Sequence, residues 1–153
     1  MKQSAGILLY KHRDQRICFF LVHPGGPYWM NKDIGTWSVP KGEFAYDESP
    51  LAAAKREFFE ETGIRVDGNF TELTPVNLKS GKKIFGWALE ADIDIPVIIS
   101  NEFTIEWPPR SGQMKSFPEV DKGEWFAPDD AIKKIIAAQV PFITELLSLI
   151  KAR

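Results

Sequence analysis

The stretch "SPLAAAKREFFEETG", from Ser49 to Gly63, constrains the fold more than any other part of the chain. Ser49 suits the N-cap of a helix, and Pro50 suits its first position, where a missing N–H group costs nothing. The residues that follow are mostly strong helix formers. Gly63 tolerates the left-handed conformation that commonly ends a helix. The sequence therefore predicts a helix that begins at Pro50 and is ended by Gly63.

Three glutamates crowd the C-terminal part of this predicted helix. At 100° per residue, Glu57, Glu60 and Glu61 fall within about 100° of one another. The helix carbonyls already carry partial negative charge at this end, and carboxylates four residues apart repel each other. The cluster is therefore costly unless something positive lies among the carboxylates. Three oxygen ligands on one rigid face suit a hard cation such as Mg²⁺ or Mn²⁺, although a solvated acidic face is the ordinary alternative.

The residues around this cluster follow a longer pattern with fixed spacing. In order, it reads Gly42, five residues, Glu48, seven residues, Arg56 and Glu57, an apolar residue, any residue, Glu60 and Glu61, any residue, Gly63 and an apolar residue. From Gly42 to Ile64 this pattern resembles the signature of the Nudix hydrolases without a departure. At a usage of roughly 7% per residue type, its seven fixed letters would coincide by chance about once in 10⁸ windows.

The resemblance implies an α/β fold, the Nudix α/β/α sandwich with a mixed β-sheet, formed by residues 1–153 as a single domain. It implies divalent-metal-dependent hydrolysis of a phosphoanhydride bond in a nucleoside diphosphate linked to another moiety. Mg²⁺ is the expected cofactor, and Mn²⁺ would suit the same oxygens. By resemblance, Glu57, Glu60 and Glu61 bind the metal, and Glu57 takes the proton from the attacking water. The backbone carbonyl of Lys41 supplies another ligand by the same resemblance.

The other fixed positions of the signature have a supporting role: Gly42, Glu48, Arg56 and Gly63. Gly42 would let the backbone approach its neighbours closely. Arg56 is expected to orient Glu57 or to pair with Glu48.

A carboxylate outside the signature is also expected in the site. In MutT-type members it lies five residues ahead of a Glu-Trp pair, and "EVDKGEW" places Glu119 at that distance. We therefore expect Glu119 to be a metal ligand or an alternative catalytic base, with a solvated loop glutamate as the other interpretation. Three nearby carboxylates are rivals for the same role: Glu102, Glu106 and Glu124.

The substrate-binding residues are less constrained. Four aromatic residues lie on segments around the predicted site and could stack on a base, although each also fits core packing: Trp29, Trp37, Phe85 and Trp87. We expect Trp37 to make this contact. Lys41, Lys83 and Arg110 are the expected phosphate contacts.

The residues that precede the signature bear on the substrate. The "PKG" at this point resembles diadenosine polyphosphate hydrolases, whereas MutT-type nucleoside triphosphatases commonly have Gly-Gly there. A dinucleoside polyphosphate or a nucleoside triphosphate is the expected substrate, and segment 96–118 matches neither subgroup. The alternative is a module with the same fold that senses nucleotides or binds a protein without catalysis.

The remaining elements are predicted from hydrophobic periodicity and turn residues. We expect strands at "SAGILLY" and "ICFFLV", a loop over His23–Thr36, and a short strand "WSVP" followed by the loop "KGEFAYDES". A strand pair, "FTELTPVNLK" and "KKIFGWALEAD", should follow around a Ser-Gly turn. Residues 93–125 are expected to be a long, partly ordered excursion. Two helical segments, "PDDAIKKIIAAQ" and "PFITELLSLIKAR", should close the chain, with Pro141 marking the break between them.

Composition limits the partners. A net charge of −2 gives no reason to expect a nucleic-acid polymer. No apolar run approaches the length of a membrane span, and the N-terminus lacks the pattern of a signal peptide. We therefore expect a cytoplasmic protein with a small-molecule nucleotide substrate, as a monomer or a homodimer.

Overall fold

The computed structural model describes residues 2–94 and 97–152. The predicted domain limits at residues 1 and 153, and residue 96 at the start of the unmatched segment, lie outside the described part. The strands are β1 (Gln3–Arg13), β2 (Arg16–Pro24), β3 (Lys41–Glu43), β4 (Thr71–Asn77), β5 (Lys83–Glu90), β6 (Glu102–Glu106), β7 (Met114–Pro118) and β8 (Val120–Phe126). The helices are α1 (Pro50–Thr62), α2 (Pro128–Lys134) and α3 (Val140–Lys151), with a 3-10 turn at Ala137–Gln139.

The main sheet is mixed. Its strand order is β4-β5-β1-β2-β8, and β3 also pairs with β1. Strand β5 runs parallel to β1, whereas the other neighbours are antiparallel. Strands β6 and β7 form a separate two-stranded hairpin.

The sheet contains a fork between β1 and β2. The register of β1 with β2 runs over Tyr10–Arg13, whereas Ser4–Gly6 of β1 pairs with β3 instead. An isolated bridge joins Ser38 to Val22 of β2. Residues 37–43 therefore fill the space where the two strands diverge, and this places Lys41 beside the open end of the sheet.

Two apolar cores cover the two faces of the sheet. Successive side chains of a strand point to opposite faces, and along β1 Ile7 packs towards α1 and Phe58, whereas Leu8 packs towards α3 and Phe142. Helix α1 lies on the first face, and α2 and α3 lie on the second. This arrangement confirms the predicted α/β/α sandwich with a mixed sheet.

The predicted boundaries of α1 are confirmed. The Ser49 side chain accepts a hydrogen bond from the N–H of Ala52 at 3.5 Å, and Pro50 occupies the first turn. Gly63 has φ 80°, and its N–H donates to the carbonyl of Phe59 at 2.7 Å. The first two strands and the strand pair β4–β5 are also confirmed, with β1 and β2 longer than predicted.

Four expectations about secondary structure need correction. The described part of residues 93–125, expected to be a long, partly ordered excursion, contains the β6–β7 hairpin and β8 of the main sheet. The predicted loop after Pro40 begins with strand β3, and the loop expected from His23 begins after Pro24. Helix α2 ends at Lys134 instead of continuing to Gln139. Ile135 is extended there and pairs with Trp37, so its burial overrides helix propensity.

None of the helices in the described ranges is both long enough and apolar enough to cross a membrane.

Candidate active site

Helix α1 lies across β3 and brings Glu57 against the backbone of Gly42. Glu57 is buried, and a Cβ atom placed on Gly42 would overlap its carboxylate. Only glycine leaves space for the carboxylate at this point. The close approach expected from the signature is therefore present, and Gly42 fixes the place of the Glu57 side chain.

Arg56 supplies positive charge among the glutamates of α1. Its Nε and Nη2 atoms each donate to one oxygen of Glu48 at 2.9 Å. Its Nη1 atom donates to Glu57 Oε1 at 2.8 Å and to Glu60 Oε2 at 3.2 Å. The hydrogen bonds that Arg56 donates to Glu48 raise the pKa of Arg56 and lower the pKa of Glu48. Both roles expected for Arg56 are present, and Arg56 offsets part of the repulsion in the cluster.

Glu61 has a different environment from its neighbours. Its Oε1 atom accepts a hydrogen bond from the backbone N–H of Lys41 at 3.2 Å. Burial raises the pKa of Glu61 to about 8, although the nearby Lys41 charge acts in the opposite direction. Burial likewise lowers the pKa of the Lys41 ammonium. The Glu61 carboxyl therefore loses its proton at a higher pH than an exposed glutamate does.

Glu119 lies close enough to influence the same carboxylates. Burial first, and then the charge of Glu60, raises the pKa of Glu119, and the Glu119 charge contributes to the raised pKa of Glu57 and Glu61. For Glu57 itself, burial is the largest cause and Glu60 is the second. The acidic groups therefore carry more negative charge than Arg56 and Lys41 offset.

This donor set fits a hard divalent cation. The carboxylate oxygens are the ligands that Mg²⁺ and Mn²⁺ prefer, and a cation would offset both the burial and the repulsion that raise the pKa values of Glu57, Glu61 and Glu119. Within residues 2–94 and 97–152, no three acidic, histidine or cysteine side chains already converge as a metal-binding group. Instead, Arg56 holds Glu57 and Glu60, and the Lys41 N–H holds Glu61. A cation would therefore share these carboxylates with their present donors, since at Glu57 and Glu61 these hydrogen bonds involve only the Oε1 atom.

The segment that carries Glu119 is fastened to the end of α1. The N–H of Glu119 donates to the carbonyl of Asn101 at 2.8 Å, and the N–H of Asn101 donates to the carbonyl of Glu60 at 2.8 Å. The Glu119 carbonyl accepts from the N–H of Gly25 at 2.9 Å. Of the carboxylates proposed from the sequence for this role, Glu119 lines the cavity beside the site, whereas Glu106 accepts from the N–H of Arg110 at the hairpin.

A cavity of about 550 Å³ opens beside these residues. Some of its lining residues are polar or charged: Thr36, Ser38, Lys41, Glu61 and Glu119. Others are apolar: Val22, Pro24, Trp29, Val120 and Ile136. Its volume lies within the usual range of small-molecule sites, and a lining that combines charged and apolar residues suits an amphiphilic ligand.

The four predicted substrate contacts are in different places. Lys41 lines the cavity. The Lys83 ammonium lies 4.8 Å from the ring centroid of Phe85 at the start of β5, and Arg110 is exposed at the hairpin tip, so both lie outside this cavity. Trp37 is only 2% exposed. The expectation that Trp37 stacks on a base therefore disagrees with the structure.

Trp37 belongs to the core for identifiable reasons. Its indole N–H donates to Asp33 at 2.7 Å, and its ring centroid lies 4.9 Å from that of Phe126 and 5.2 Å from that of His23. The aromatic type of a residue does not tell whether its ring is enclosed, so the sequence could not separate Trp37 from Trp29.

Two buried side chains support the cavity: Gln139, which sequence analysis missed, and His23, for which the sequence left a substrate contact open. Gln139 is buried; its Oε1 atom accepts from the N–H of Val39 at 3.0 Å, and its Nε2 atom donates to Ser38 Oγ at 3.0 Å. His23 is also buried, with Nδ1 2.9 Å from Asp121 Oδ1 and Nε2 2.6 Å from the Lys32 carbonyl oxygen. The Gln139 partners lie about a hundred residues away along the chain, so no local pattern could have identified them.

Comparison with known proteins places the whole arrangement in context. A family model described as the NUDIX domain matches residues 2–146. An RNA pyrophosphohydrolase of Bartonella henselae is 35% identical over 68 residues, which cover 42% of this chain and 36% of the relative. A MutT-like protein of Streptomyces ambofaciens is 50% identical over 44 residues, which cover 29% of this chain and 27% of the relative. The matched segments thus span about a third of these curated relatives.

Solved structures share the fold. An Ap4A hydrolase of C. elegans, in a binary complex, has a TM-score of 0.63 at 20% identity and covers 99% of this chain and 98% of its own. The NUDIX domain of Shewanella oneidensis NrtR, bound to ADP ribose, has a TM-score of 0.66 at 16% identity, with 97% of this chain and 87% of its own covered. The family model spans nearly the whole chain, and the signature lies on the helix that forms the acidic site, so the chain belongs to the Nudix family.

Proposed function

We propose that the protein is a divalent-metal-dependent pyrophosphohydrolase. It would cleave a phosphoanhydride bond in a nucleoside diphosphate linked to another moiety, such as a dinucleoside polyphosphate or a nucleoside triphosphate. One observation carries the proposal: the carboxylate of Glu57 lies against Gly42, next to a cavity that Lys41, Glu61 and Glu119 line.

The acidic residues would hold the metal. Nudix enzymes generally use a divalent ion, typically Mg²⁺, and Mn²⁺ accepts the same oxygen ligands. The carboxylates of Glu57, Glu60, Glu61 and Glu119, with the backbone carbonyl of Lys41, are the proposed ligands. When bound, such an ion neutralises phosphate charge and lowers the pKa of a coordinated water.

The protein's own groups supply the rest of the chemistry. Glu57 is the proposed base, because its burial raises the pKa of its carboxyl and makes the carboxylate a better proton acceptor. Arg56 holds Glu57 Oε1 at 2.8 Å and so orients it. Glu119 is the second candidate for the same role. The water oxygen forms a bond to phosphorus, the bridging P–O bond breaks, and the departing phosphate carries the electron pair.

Lys41 is the proposed phosphate contact. Lys41 lines the cavity together with Glu61 and Glu119. A cation at this place offsets the negative charge that builds up on the phosphate chain during attack. The "PKG" segment that carries Lys41 supports a dinucleoside polyphosphate over other substrates. The Ap4A hydrolase and RNA pyrophosphohydrolase among the similar proteins are compatible with this choice.

Hydrolysis of a substrate panel tests the proposal. Ap4A, ADP-ribose, ATP, GTP, CTP and UTP would each be incubated with Mg²⁺ and one of three proteins: wild type, Glu57→Gln or Glu72→Gln. Glu72 is an exposed residue of β4 and serves as the matched control. We expect cleavage by wild type and Glu72→Gln, and a loss of at least 100-fold in Glu57→Gln. Nucleotide binding without cleavage by wild type would instead support a non-catalytic sensing module.

The wider setting of the activity is also proposed. We expect residues 1–153 to act as one domain, in the cytoplasm, on a small nucleotide substrate. We expect no nucleic-acid polymer and no membrane as partner. A monomer and a homodimer are both compatible with the proposed chemistry.

A further inference from the structure

We infer that Trp29 is the nucleobase-stacking residue of the cavity, and that the β6–β7 hairpin is the element that positions it. The inference rests on the proposed function, because it names the part of a nucleotide that Trp29 recognises in the same cavity. It also gives a role to the β6–β7 hairpin, whose sequence matches neither subgroup.

The cavity has two kinds of lining residue. Lys41, Glu61 and Glu119 are charged, whereas Val22, Trp29 and Ile136 are apolar. A nucleotide likewise combines charged phosphates with the apolar faces of its base. A nucleotide with its phosphates beside the charged residues would therefore have Trp29 available to its base within the same cavity.

Trp29 is the aromatic residue among the residues that line the cavity. Its side chain is 43% exposed, whereas Trp37 is 2% exposed and enclosed by core residues. The Lys32 ammonium lies 5.2 Å from the Trp29 ring centroid, a cation–π contact that restricts the indole before any ligand binds. An indole that is partly ordered and still accessible meets the requirement for stacking on a base.

The loop that carries Trp29 rests on the β6–β7 hairpin. The Tyr28 ring packs edge-on against Trp107, with ring centroids 5.2 Å apart. Gly26 has φ 96°, and a Cβ atom there would lie 2.8 Å from the Phe103 ring, so the loop backbone lies directly on the hairpin. On its other side, the Lys32 carbonyl is held by His23 at 2.6 Å. The loop is therefore supported on both sides of Trp29.

The same hairpin is tied to the acidic residues of the cavity. The residue before β6, Asn101, bonds to the Glu60 carbonyl of α1 and to the N–H of Glu119. The residue after β7 is Glu119 itself. The β6–β7 hairpin therefore connects the loop that carries Trp29 to the segment that carries Glu119. A change in the hairpin contacts should alter recognition of the base more than recognition of the phosphates.

Metal-free binding gives the first test. Calorimetry would compare ATP, GTP, CTP and UTP with inorganic tripolyphosphate, which has the phosphate chain without a base. For the tightest-bound nucleotide, Trp29→Ala should weaken binding roughly 5- to 150-fold and leave tripolyphosphate binding unchanged. Trp29→Phe should recover part of the loss. Melting temperatures would show that each variant remains folded.

The hairpin has its own variants. Trp107→Ala removes the partner of Tyr28 and should weaken nucleotide binding by a smaller factor, again without effect on tripolyphosphate. Gln113→Ala, at an exposed position of the same hairpin, is the matched control and should behave as wild type. In hydrolysis with Mg²⁺, Trp29→Ala should raise KM for the nucleotide by a similar factor with kcat within about 3-fold of wild type.

The outcomes separate the two proposals. Equal effects of Trp29→Ala on nucleotide and tripolyphosphate, or no effect on a nucleotide that wild type binds, would overturn the assignment of Trp29. If Trp107→Ala binds the nucleotide as tightly as wild type does, the proposed role of the hairpin is overturned. If wild type cleaves tripolyphosphate and none of the nucleotides, base recognition is rejected, whereas the proposed reaction class remains supported. If wild type neither binds nor cleaves any of these compounds, the proposed function fails together with the inference.

Discussion

At the scale of single residues, the acidic site depends on where each carboxylate is held. Gly42 leaves room for Glu57, the Lys41 N–H holds Glu61, and a backbone hydrogen bond from Glu119 fixes its segment. The identity of these residues was predictable from the spacing of the signature and of "EVDKGEW". The hydrogen bonds that hold these carboxylates were not predictable, because the sequence does not show which donor a carboxylate accepts from.

Replacing Gly42 by alanine tests the close approach. The added Cβ atom would displace the Glu57 carboxylate, and a shift of about 1 Å in a catalytic group can reduce the rate about 100-fold. We expect a fall of that order in kcat/KM. Gly81→Ala, in the β4–β5 turn, is the control, since its Cβ would meet open space and a positive φ strains alanine there. Equal activity losses in the two variants would show that a general loss of stability, not displacement of Glu57, is responsible.

The raised pKa of Glu61 predicts a pH dependence of stability. Burial raises this pKa from 4.5 to about 8, so the folded protein binds the proton more tightly than the unfolded chain does. The stabilising effect of the proton is complete below about pH 4.5 and is lost as the pH rises through about 8. Without metal, wild type should therefore lose more stability than Glu61→Gln between pH 5.5 and pH 8.5. Parallel curves from chemical denaturation in EDTA would contradict the raised pKa.

At the scale of elements, α1 combines a predictable boundary with a charge arrangement that breaks helix rules. Ser49 and Gly63 gave its ends correctly, because caps act through local backbone geometry. Strand β3 was missed because three residues in an irregular stretch carry no periodic signal. The end of α2 was missed for a different reason, since the burial of Ile135 against the rest of the fold decided its conformation.

The arginine of α1 gives a prediction at this scale. Arg56 bonds to Glu48 through two nitrogens and reaches Glu57 and Glu60 with a third. Lysine cannot reproduce this planar fork. Without metal, Arg56→Lys should lower the free energy of unfolding by about 1 kcal/mol, because hydrogen bonds to charged groups are lost at a partly exposed site.

The neighbouring Lys55 provides the control for this measurement. Its ammonium pairs with Asp67 at 3.1 Å on the exposed side of the same helix. Lys55→Gln should therefore change the free energy of unfolding by less than about 0.5 kcal/mol. If Lys55→Gln lowers the free energy of unfolding as much as Arg56→Lys does, the hydrogen bonds of Arg56 to the acidic cluster do not stabilise the fold more than an exposed ion pair.

At the scale of the whole molecule, the fork between β1 and β2 brings distant segments to one place. Residues 37–43 fill the fork, α1 contributes Glu57, Glu60 and Glu61, and the junction between β7 and β8 carries Glu119. The layered fold followed from the signature and its family resemblance. The core position of Trp37 and the support from Gln139 depend on contacts between remote segments, which a single sequence does not specify.

The central claim is that these segments together form one divalent-metal site. Mn²⁺ titration followed by electron paramagnetic resonance tests it directly, because free and protein-bound Mn²⁺ give different signals. Wild type and Glu72→Gln should bind Mn²⁺ saturably, and Glu57→Gln, Glu61→Gln and Glu119→Gln should each weaken that binding at least 10-fold. Unchanged affinity in all three variants would contradict the claim.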